Sequence, residues 1–438
     1  MTNTRKLVVR LMTKLDDDSA YSNIALDKAL ERCGLSVQDK RFASALFYGT
    51  LERKLTLDAI ISSLSNKPQN SLNHTVRNIL RTGLYQLKYM DSVPDNAAVD
   101  EAVKLAKKNR NPAVPGFVNG MLREFIRNGK KLPESDSEEE RLSVEYSCPL
   151  WLVKKWNEEY GGEVCREMLE TSLGRAPTSV RINTVYHSLE STLEMFSGEG
   201  ITFEKNNFLP DSFNIYFGGS VESTTAYSSG RFHVQDTASQ LCCAVLDPQP
   251  GETVLDMCSA PGGKAFTAAE RMKNEGNIFA YDLHDNRVRL IAAGARRLGL
   301  DCIRAGVNNA KEFNGSIPEA DRVLCDAPCS GLGVIRRKPE IKYKAPEDFC
   351  RLPEIQYNIL RTSSKYVKVG GVLVYSTCTL SRAENDAVAD RFLMENRNFG
   401  SASIDNIPGV NAEDGRLTLT PSKFNSDGFF IAKFVRRR

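Results

Sequence analysis

The sequence predicts an α/β protein whose C-terminal half is a doubly wound, mostly parallel sheet, preceded by an all-α domain and a small α+β domain. Three observations predict it. Apolar residues recur at helical spacing through residues 1–130, with no strand-like run. A polar, charged, proline-bearing stretch, GKKLPESDSEEER (129–141), breaks that pattern. From about residue 250 short apolar runs alternate with amphipathic stretches, which implies strand–helix units.

Taken in order, RFASALFYGTLERKLTLDAII and TVRNILRTGLYQLKYM carry the helical period, and Asn96 is a plausible cap for NAAVDEAVKLAKK. Residues 1–132 are therefore assigned to a helical domain and 133–144 to a linker. Residues 145–235 are expected to form a small α+β domain, with WLVKKWNEEY as a helix and TSVRINTV as a strand. HVQDTAS then leads into a domain spanning 236–438. Its expected strands include ETVLDMC, NIFAYDL, DRVLCDA and GGVLVYST, with the ending DGFFIAKF as an antiparallel edge strand.

Composition narrows the functional classes. The chain has 438 residues, 41% hydrophobic and 26% charged, enough for two or three globular domains. No stretch has the apolar length of a membrane span, and the start lacks a signal peptide's apolar centre, so cytoplasm is the expected location. Eleven cysteines without a paired CxxC array, and four histidines, argue against zinc and against a disulfide scaffold. Residues 1–133 hold 22 Lys and Arg against 13 Asp and Glu, a local balance of +9, so the remainder carries −6. A basic helical module joined to an acidic one suggests a polyanion held by the first, although a solvated helical surface gives the same count.

The loop in VLDMCSAPGGKAF (254–266) joins a strand to a helix through small residues, which lets backbone N–H groups approach a ligand. It is neither GxGxxG nor a P-loop, so a nucleoside suits it better than a pyrophosphate. Asp282 ends the next strand and is placed to accept from ribose hydroxyls, while Asp256 ends the first. Either acid alone would more often be a helix cap.

DAPCSG (326–331) and STCT (376–379) follow two later strands, each placing a cysteine just beyond a strand end. Open sheets bind ligands there. Two thiols beside a methyl donor suit attack on a pyrimidine. Thiolate addition at carbon 6 of cytosine makes carbon 5 nucleophilic, and a base must then remove its hydrogen. Asp326 is placed to bond ring N3 and the exocyclic amine, and Lys264 to tune the local charge. Spacing does not say which thiol attacks. A lone cysteine is usually a small buried hydrophobe, and Cys33, Cys148, Cys165, Cys242, Cys243, Cys302, Cys325 and Cys350 are read that way.

These motifs resemble the RNA cytosine-C5 methyltransferases of the NOL/NOP/Sun type: CSAPGGK, then DAPCSG, then TC. RFASALFYGTLERKLTLDAI, LRTGLYQLKYM and GFVNGMLREFIR are similar to the NusB-like domain of the bacterial 16S ribosomal RNA branch, as are GLGVIRRKPEIKY and DGFFIAKF. The resemblance implies a NusB-like helical domain, a small linking domain and a Rossmann-like class I methyltransferase domain. It implies S-adenosylmethionine as donor and 16S ribosomal RNA as partner; a monomer is expected. It makes Cys378 the nucleophile and Cys329 the release residue. It assigns donor binding to Cys258, Ser259, Ala260, Pro261, Gly262, Gly263, Lys264, Asp282 and Asp326. The family's adenine-contacting aspartate is missing from CIRAGVNNAKEF, where Val307 or Asn308 stands, and the Asn308 amide is the expected substitute. RNA contact is expected from Lys107, Lys108 and Arg110, and from Arg336, Arg337 and Lys338 beside the release cysteine.

Three rivals remain at this point. One is a sister enzyme acting on transfer RNA or large-subunit RNA. Another is an amino-group methyltransferase, which needs no thiol. The third is a non-catalytic RNA assembly factor.

Overall fold

A computed structural model describes residues 4–17, 22–65 and 72–438. The chain divides into two compact units. The first comprises residues 1–174 together with 335–344, and the second comprises 175–334 and 345–438. Among the described residues no helix is long and apolar enough to cross a membrane.

The first unit is helical: α1 (Thr4–Asp17), α2 (Ser22–Arg32), α3 (Val37–Glu52), α4 (Lys54–Leu64), α5 (His74–Tyr89), α6 (Asp95–Ala106), α7 (Val114–Arg127), α8 (Glu138–Tyr146), α9 (Leu150–Tyr160) and α10 (Gly162–Thr171). The apolar faces of α4, α5, α6 and α7 meet in one core built on Leu57, Leu80, Val99 and Leu122. A charged latch crosses it, with buried Arg81 bonding Asp16 at 2.8 Å and Asp58 at 2.7 Å. The RFASALFYGTLERKLTLDAII stretch is two helices, because the chain turns at Arg53.

Two sequence expectations change here. The stretch expected as linker carries α8, capped by Ser137, whose hydroxyl accepts from the Glu140 N–H at 3.2 Å. Glu138, Glu139 and Glu140 fill its first turn, where the helix dipole favours negative charge. Helices α8–α10 cluster with the helical unit, so the two compact units part at Gly174. Asn96 lies inside α6, whose preceding residue is Pro94 and whose Asp95 pairs with Lys130 at 2.7 Å.

The second unit opens with a small antiparallel sheet. Its elements are β1 (Thr178–Ile182), α11 (Leu189–Gly198), β2 (Thr202–Lys205), β3 (Ser212–Tyr216), α12 (Thr225–Ser228) and β4 (Phe232–Val234), with strand order β2-β3-β1-β4. Then follow α13 (Thr237–Leu246), β5 (Thr253–Asp256), α14 (Gly263–Arg271), β6 (Asn277–Asp282), α15 (Asp285–Leu298), β7 (Ile303–Val307) and β8 (Ala320–Asp326). The chain ends with α16 (Leu352–Ser364), β9 (Val367–Thr377), α17 (Asp386–Glu395), β10 (Phe399–Ser401), β11 (Ile404–Ile407), β12 (Val410–Ala412), β13 (Arg416–Leu419), α18 (Pro421–Phe424) and β14 (Phe429–Arg436).

The large sheet has eight strands in the order β10-β14-β9-β8-β5-β6-β7, with β13 also paired to β14. Strands β5 to β9 are parallel, and β14 runs antiparallel to β9. Adjacent residues of β5 face opposite apolar layers, Val254 into one and Leu255 into the other. That is the burial of a sheet covered by helices on both faces. The DGFFIAKF strand is antiparallel as expected but interior, because β10 and β13 pair with its outer side. Chain order reverses at β5: β6 and β7 build outward on one side, and β8 returns to the other. The crevice at such a switch point is the ligand site of open α/β sheets.

Candidate active site

Three strand ends form one side of the crevice. After β5, Gly262 stands at φ +110°, where a Cβ would collide with the Phe266 ring, so only glycine fits this turn into α14. The Ser259 N–H donates to the Tyr281 carbonyl at 2.7 Å, and the Asn308 N–H donates to the Asp282 carbonyl at 3.0 Å. The loop after β5 and the ends of β6 and β7 are thereby stitched together. The Asp282 carboxylate accepts from the His284 N–H at 3.1 Å and pairs with Arg287 at 3.1 Å. Arg287 in turn donates to the Ala260 carbonyl at 3.0 Å.

This side carries several buried polar groups without hydrogen-bond partners. Both oxygens of Asp256, the Ser259 hydroxyl and the Asn308 side-chain N–H₂ are among them. Burial pushes the Asp256 carboxyl up to about 7. Ser259 and the Cys258 backbone oppose that rise without a well-aligned hydrogen bond. Such groups are costly unless a ligand pairs them. A donor with an adenosine at one end and an amino acid at the other supplies complementary partners, so these residues fit S-adenosylmethionine. Asn308 is 8% exposed and adjoins Asp282.

The other side carries the thiols. Strands β8 and β9 pair in parallel with Asp326 opposite Ser376. That register brings the two loops level, and the Sγ atoms of Cys329 and Cys378 lie 3.2 Å apart. Both thiols are partly exposed. The hydrogen bond to Cys378, then burial, push the Cys329 thiol well above its ordinary range. Cys329 therefore keeps its proton and can donate it toward the Cys378 sulfur.

Asp326 joins the two sides. One oxygen pairs with Lys264 at 2.8 Å and the other accepts from the Ser376 hydroxyl at 2.7 Å. Burial alone would lower the Lys264 ammonium, but the Asp326 charge and hydrogen bond raise it above its ordinary value. Lys264 also lies 5.1 Å from the Phe429 ring centre. It stays cationic and fixes the carboxylate.

Among the other cysteines, Cys148, Cys165, Cys242, Cys243, Cys302 and Cys325 are buried and Cys33 is partly so. Cys350 is exposed, because it ends a short 3-10 turn, Pro346–Phe349, ahead of α16 rather than lying within the packed face of an element. Lys107, Lys108 and Arg110 are exposed on the turn after α6. Residues 335–344, which include Arg336, Arg337 and Lys338, pack with the helical unit: Lys342 donates to the Glu52 carbonyl at 2.9 Å and Tyr343 to the Leu51 carbonyl at 2.7 Å. Sequence reasoning missed Arg287 and Ser376, and also the buried polar cluster of Ser330, Gln356, Glu384 and Asn385. Ser376 and Ser330 had a usable signal, since they sit inside the STCT and DAPCSG motifs; the others had none.

Comparison with known proteins identifies the assembly. Family models match in three stretches: the 16S rRNA methyltransferase RsmB/F model over 243–435, the NusB family over 2–127, and the ferredoxin-like domain of RsmF/B-like methyltransferases over 148–222. The Bacillus subtilis protein named "Probable ribosomal RNA small subunit methyltransferase B" is 39% identical across 100% of this chain and 99% of its own length. The ribosomal RNA small subunit methyltransferase B of Klebsiella pneumoniae is 32% identical over 92% of both chains. The crystal structure of PH0851 shares the fold, with a TM-score of 0.82 and 24% identity over 100% of this chain and 99% of that one. The chain belongs to the ribosomal RNA small subunit methyltransferase B family, a family of S-adenosylmethionine-dependent methyltransferases.

Proposed function

We propose that this protein methylates carbon 5 of a cytosine in 16S ribosomal RNA through a covalent adduct with Cys378. The observation that carries the reading is the 3.2 Å approach of two thiols at the ends of neighbouring parallel strands, beside the Asp326 carboxylate. A methyltransferase acting on an amino group has no use for such a pair.

Bound at Cys258–Lys264, Asp282 and Asn308, with Asp326 beside it, S-adenosylmethionine supplies an electrophilic methyl group. The Cys378 thiolate adds to carbon 6 of a cytosine flipped out of its stack. Ring N3 takes a proton from solvent as carbon 6 is attacked, which draws electrons from that carbon; Asp326, held by Lys264 and Ser376, accepts from the N3–H and the exocyclic amine, and N3 returns its proton to solvent when the adduct collapses. Carbon 5 then takes the methyl group and the donor's sulfur leaves as a neutral thioether. Cys329 gives its own proton to solvent, and its thiolate removes the hydrogen left on carbon 5; the C5–C6 double bond re-forms and the Cys378 thiolate leaves. Cys329 keeps the proton taken from carbon 5, which restores the resting thiol, so one proton is released per methyl transferred.

The resting thiol pair times this sequence. The largest influence holding the proton on Cys329 is its hydrogen bond to Cys378. Once Cys378 is a thioether, that influence is gone and Cys329 becomes a stronger acid, ready to serve as a base. The basic helical unit supplies cations for the RNA backbone, and the enzyme acts as a cytoplasmic monomer.

Trapping tests the roles. With RNA and donor, Cys329→Ala is expected to accumulate an adduct stable in denaturant, and Cys378→Ala to form none. Retained turnover in both variants would refute the mechanism. Bisulfite sequencing of total RNA from a deletion strain should lose a mark in 16S ribosomal RNA, and a mark lost from transfer RNA or large-subunit RNA instead would reassign the substrate.

A further inference from the structure

The residues that tie the flanks of both thiols lie outside the two thiol-bearing motifs. Glu384 lies just ahead of α17 and is 2% exposed. Its carboxylate accepts from the Ser330 N–H at 2.9 Å and from the Ser330 hydroxyl at 2.6 Å. It also accepts from the Gln356 amide at 2.9 Å, and the same amide nitrogen donates to the Pro328 carbonyl at 3.0 Å. Both chain neighbours of Cys329 are therefore tied to one buried carboxylate, one directly and one through Gln356.

The next residue does the same for the other thiol. Asn385 is fully buried. Its amide nitrogen donates to the Thr379 carbonyl at 2.9 Å, and its amide oxygen accepts from the Thr377 hydroxyl at 2.6 Å. Thr377 and Thr379 are the neighbours of Cys378. A cross-tie joins the two loops, the Thr379 hydroxyl lying 2.7 Å from that of Ser330. The Tyr375 hydroxyl anchors the clamp itself, donating to the Glu384 carbonyl at 2.6 Å.

We propose that Glu384 and Asn385 are positioning residues, Glu384 setting Cys329 for the release step and Asn385 setting Cys378 for attack. The inference rests on the covalent reading above. Its physical basis is the cost of burying a carboxylate, which here is offset by three donors, two of them from Ser330 beside the release thiol. A network that served packing alone would have no reason to grip both flanks of both reactive residues. Adjacent residues on one short segment make the separation of the sulfurs a property of a single rigid piece, shielded from movement in either loop.

The test separates two steps on the full-length protein with RNA and S-adenosylmethionine. Single-turnover adduct formation reports Cys378, and adduct decay reports Cys329. Glutamine at 384 has one accepting oxygen, so it cannot keep all the bonds from Ser330 and Gln356. Glu384→Gln is expected to form adduct at the normal rate and to release it about 10- to 100-fold more slowly, the scale of a small misplacement of a reacting group. Asn385→Ala is expected to slow adduct formation by a similar factor without accumulating adduct. Equal slowing of both steps in both variants, or normal kinetics in both, would overturn the clamp. Calorimetry with the donor verifies folding; should either variant fail it, Ser330→Ala removes the hydroxyl's bonds to Glu384 and Thr379, Thr377→Val removes the one to Asn385, and both must show the same split. Cys329→Ala accumulating adduct while Glu384→Gln behaves normally would count against the clamp alone. Absence of adduct in Cys329→Ala would overturn the covalent reading and the clamp with it.

Discussion

The Asp256 carboxylate shows how one residue can be kept at a cost to the fold. It is 1% exposed, and neither oxygen has a hydrogen-bond partner. Burial raises its pKa from 3.8 to about 7. A carboxyl whose folded pKa lies above its unfolded value binds a proton more tightly in the folded state. Stability therefore falls as pH rises from about 4 to about 7, and the full penalty applies above that window. The shift corresponds to roughly 4 kcal/mol at pH 8. Asp256→Asn is expected to raise the melting temperature of the donor-free protein at pH 8 far more than at pH 4, and an equal change at both would show that the acid is not strained. Gly333 is constrained from a different direction. Its N–H donates to the Cys378 carbonyl at 3.0 Å, and a side chain there would collide with the Gly428 carbonyl. The backbone at Cys378 is thus held by a residue that sequence inspection gives no reason to single out.

At the scale of elements, the stretch expected to be a linker illustrates what local signals hold. GKKLPESDSEEER reads as linker by composition, yet S-x-x-E at Ser137–Glu140 is a helix start, and α8 begins there. Arg141 then bonds Glu138 at 2.7 Å and Glu145 at 2.8 Å along the exposed face. Ser137→Ala is expected to destabilise α8 by about 1 kcal/mol, the usual worth of such a cap. Hydrogen exchange at the first turn of α8 would read this, with donor affinity unchanged; unchanged exchange would mean that packing alone holds the helix. Between β8 and β9, register matters more than any cap. Asp326 opposite Ser376 places both cysteine loops at one level, and a one-residue slip would turn every side chain to the opposite face.

At the scale of the molecule, the chain leaves the methyltransferase unit soon after Cys329, packs residues 335–344 with the helical unit, and returns. Lys342 is buried and Tyr343 half-buried by that excursion, and burial lowers the Lys342 ammonium to about 8. A fragment of residues 175–438 would leave that segment without its partners at Leu51 and Glu52. Limited proteolysis is expected to cut the fragment within 335–344 while the full chain resists there, and equal resistance in both would show the segment to be independent of the helices. The sequence made much of this architecture legible. The helical period, the strand–helix alternation and the position of each motif after a strand are local properties, so the domain types and the two cysteines that the fold brings together could be picked out from one chain. The division at Gly174 was not legible, because α8–α10 are helical whichever unit they join. The interior place of β14 was hidden for the same reason: pairing partners are set by other strands. Asn308 was legible only as a departure from a resemblance, and its place beside Asp282 came from the strand ends. Glu384 had no local signature; a glutamate before a helix ordinarily caps it in solvent, and its burial depends on Ser330, 54 residues away in sequence. Residue types, periods and motif order thus follow from the chain itself, since they act within a turn or a strand. The distance between two sulfurs is instead the sum of strand register and long-range hydrogen bonds, and only folding brings those terms together.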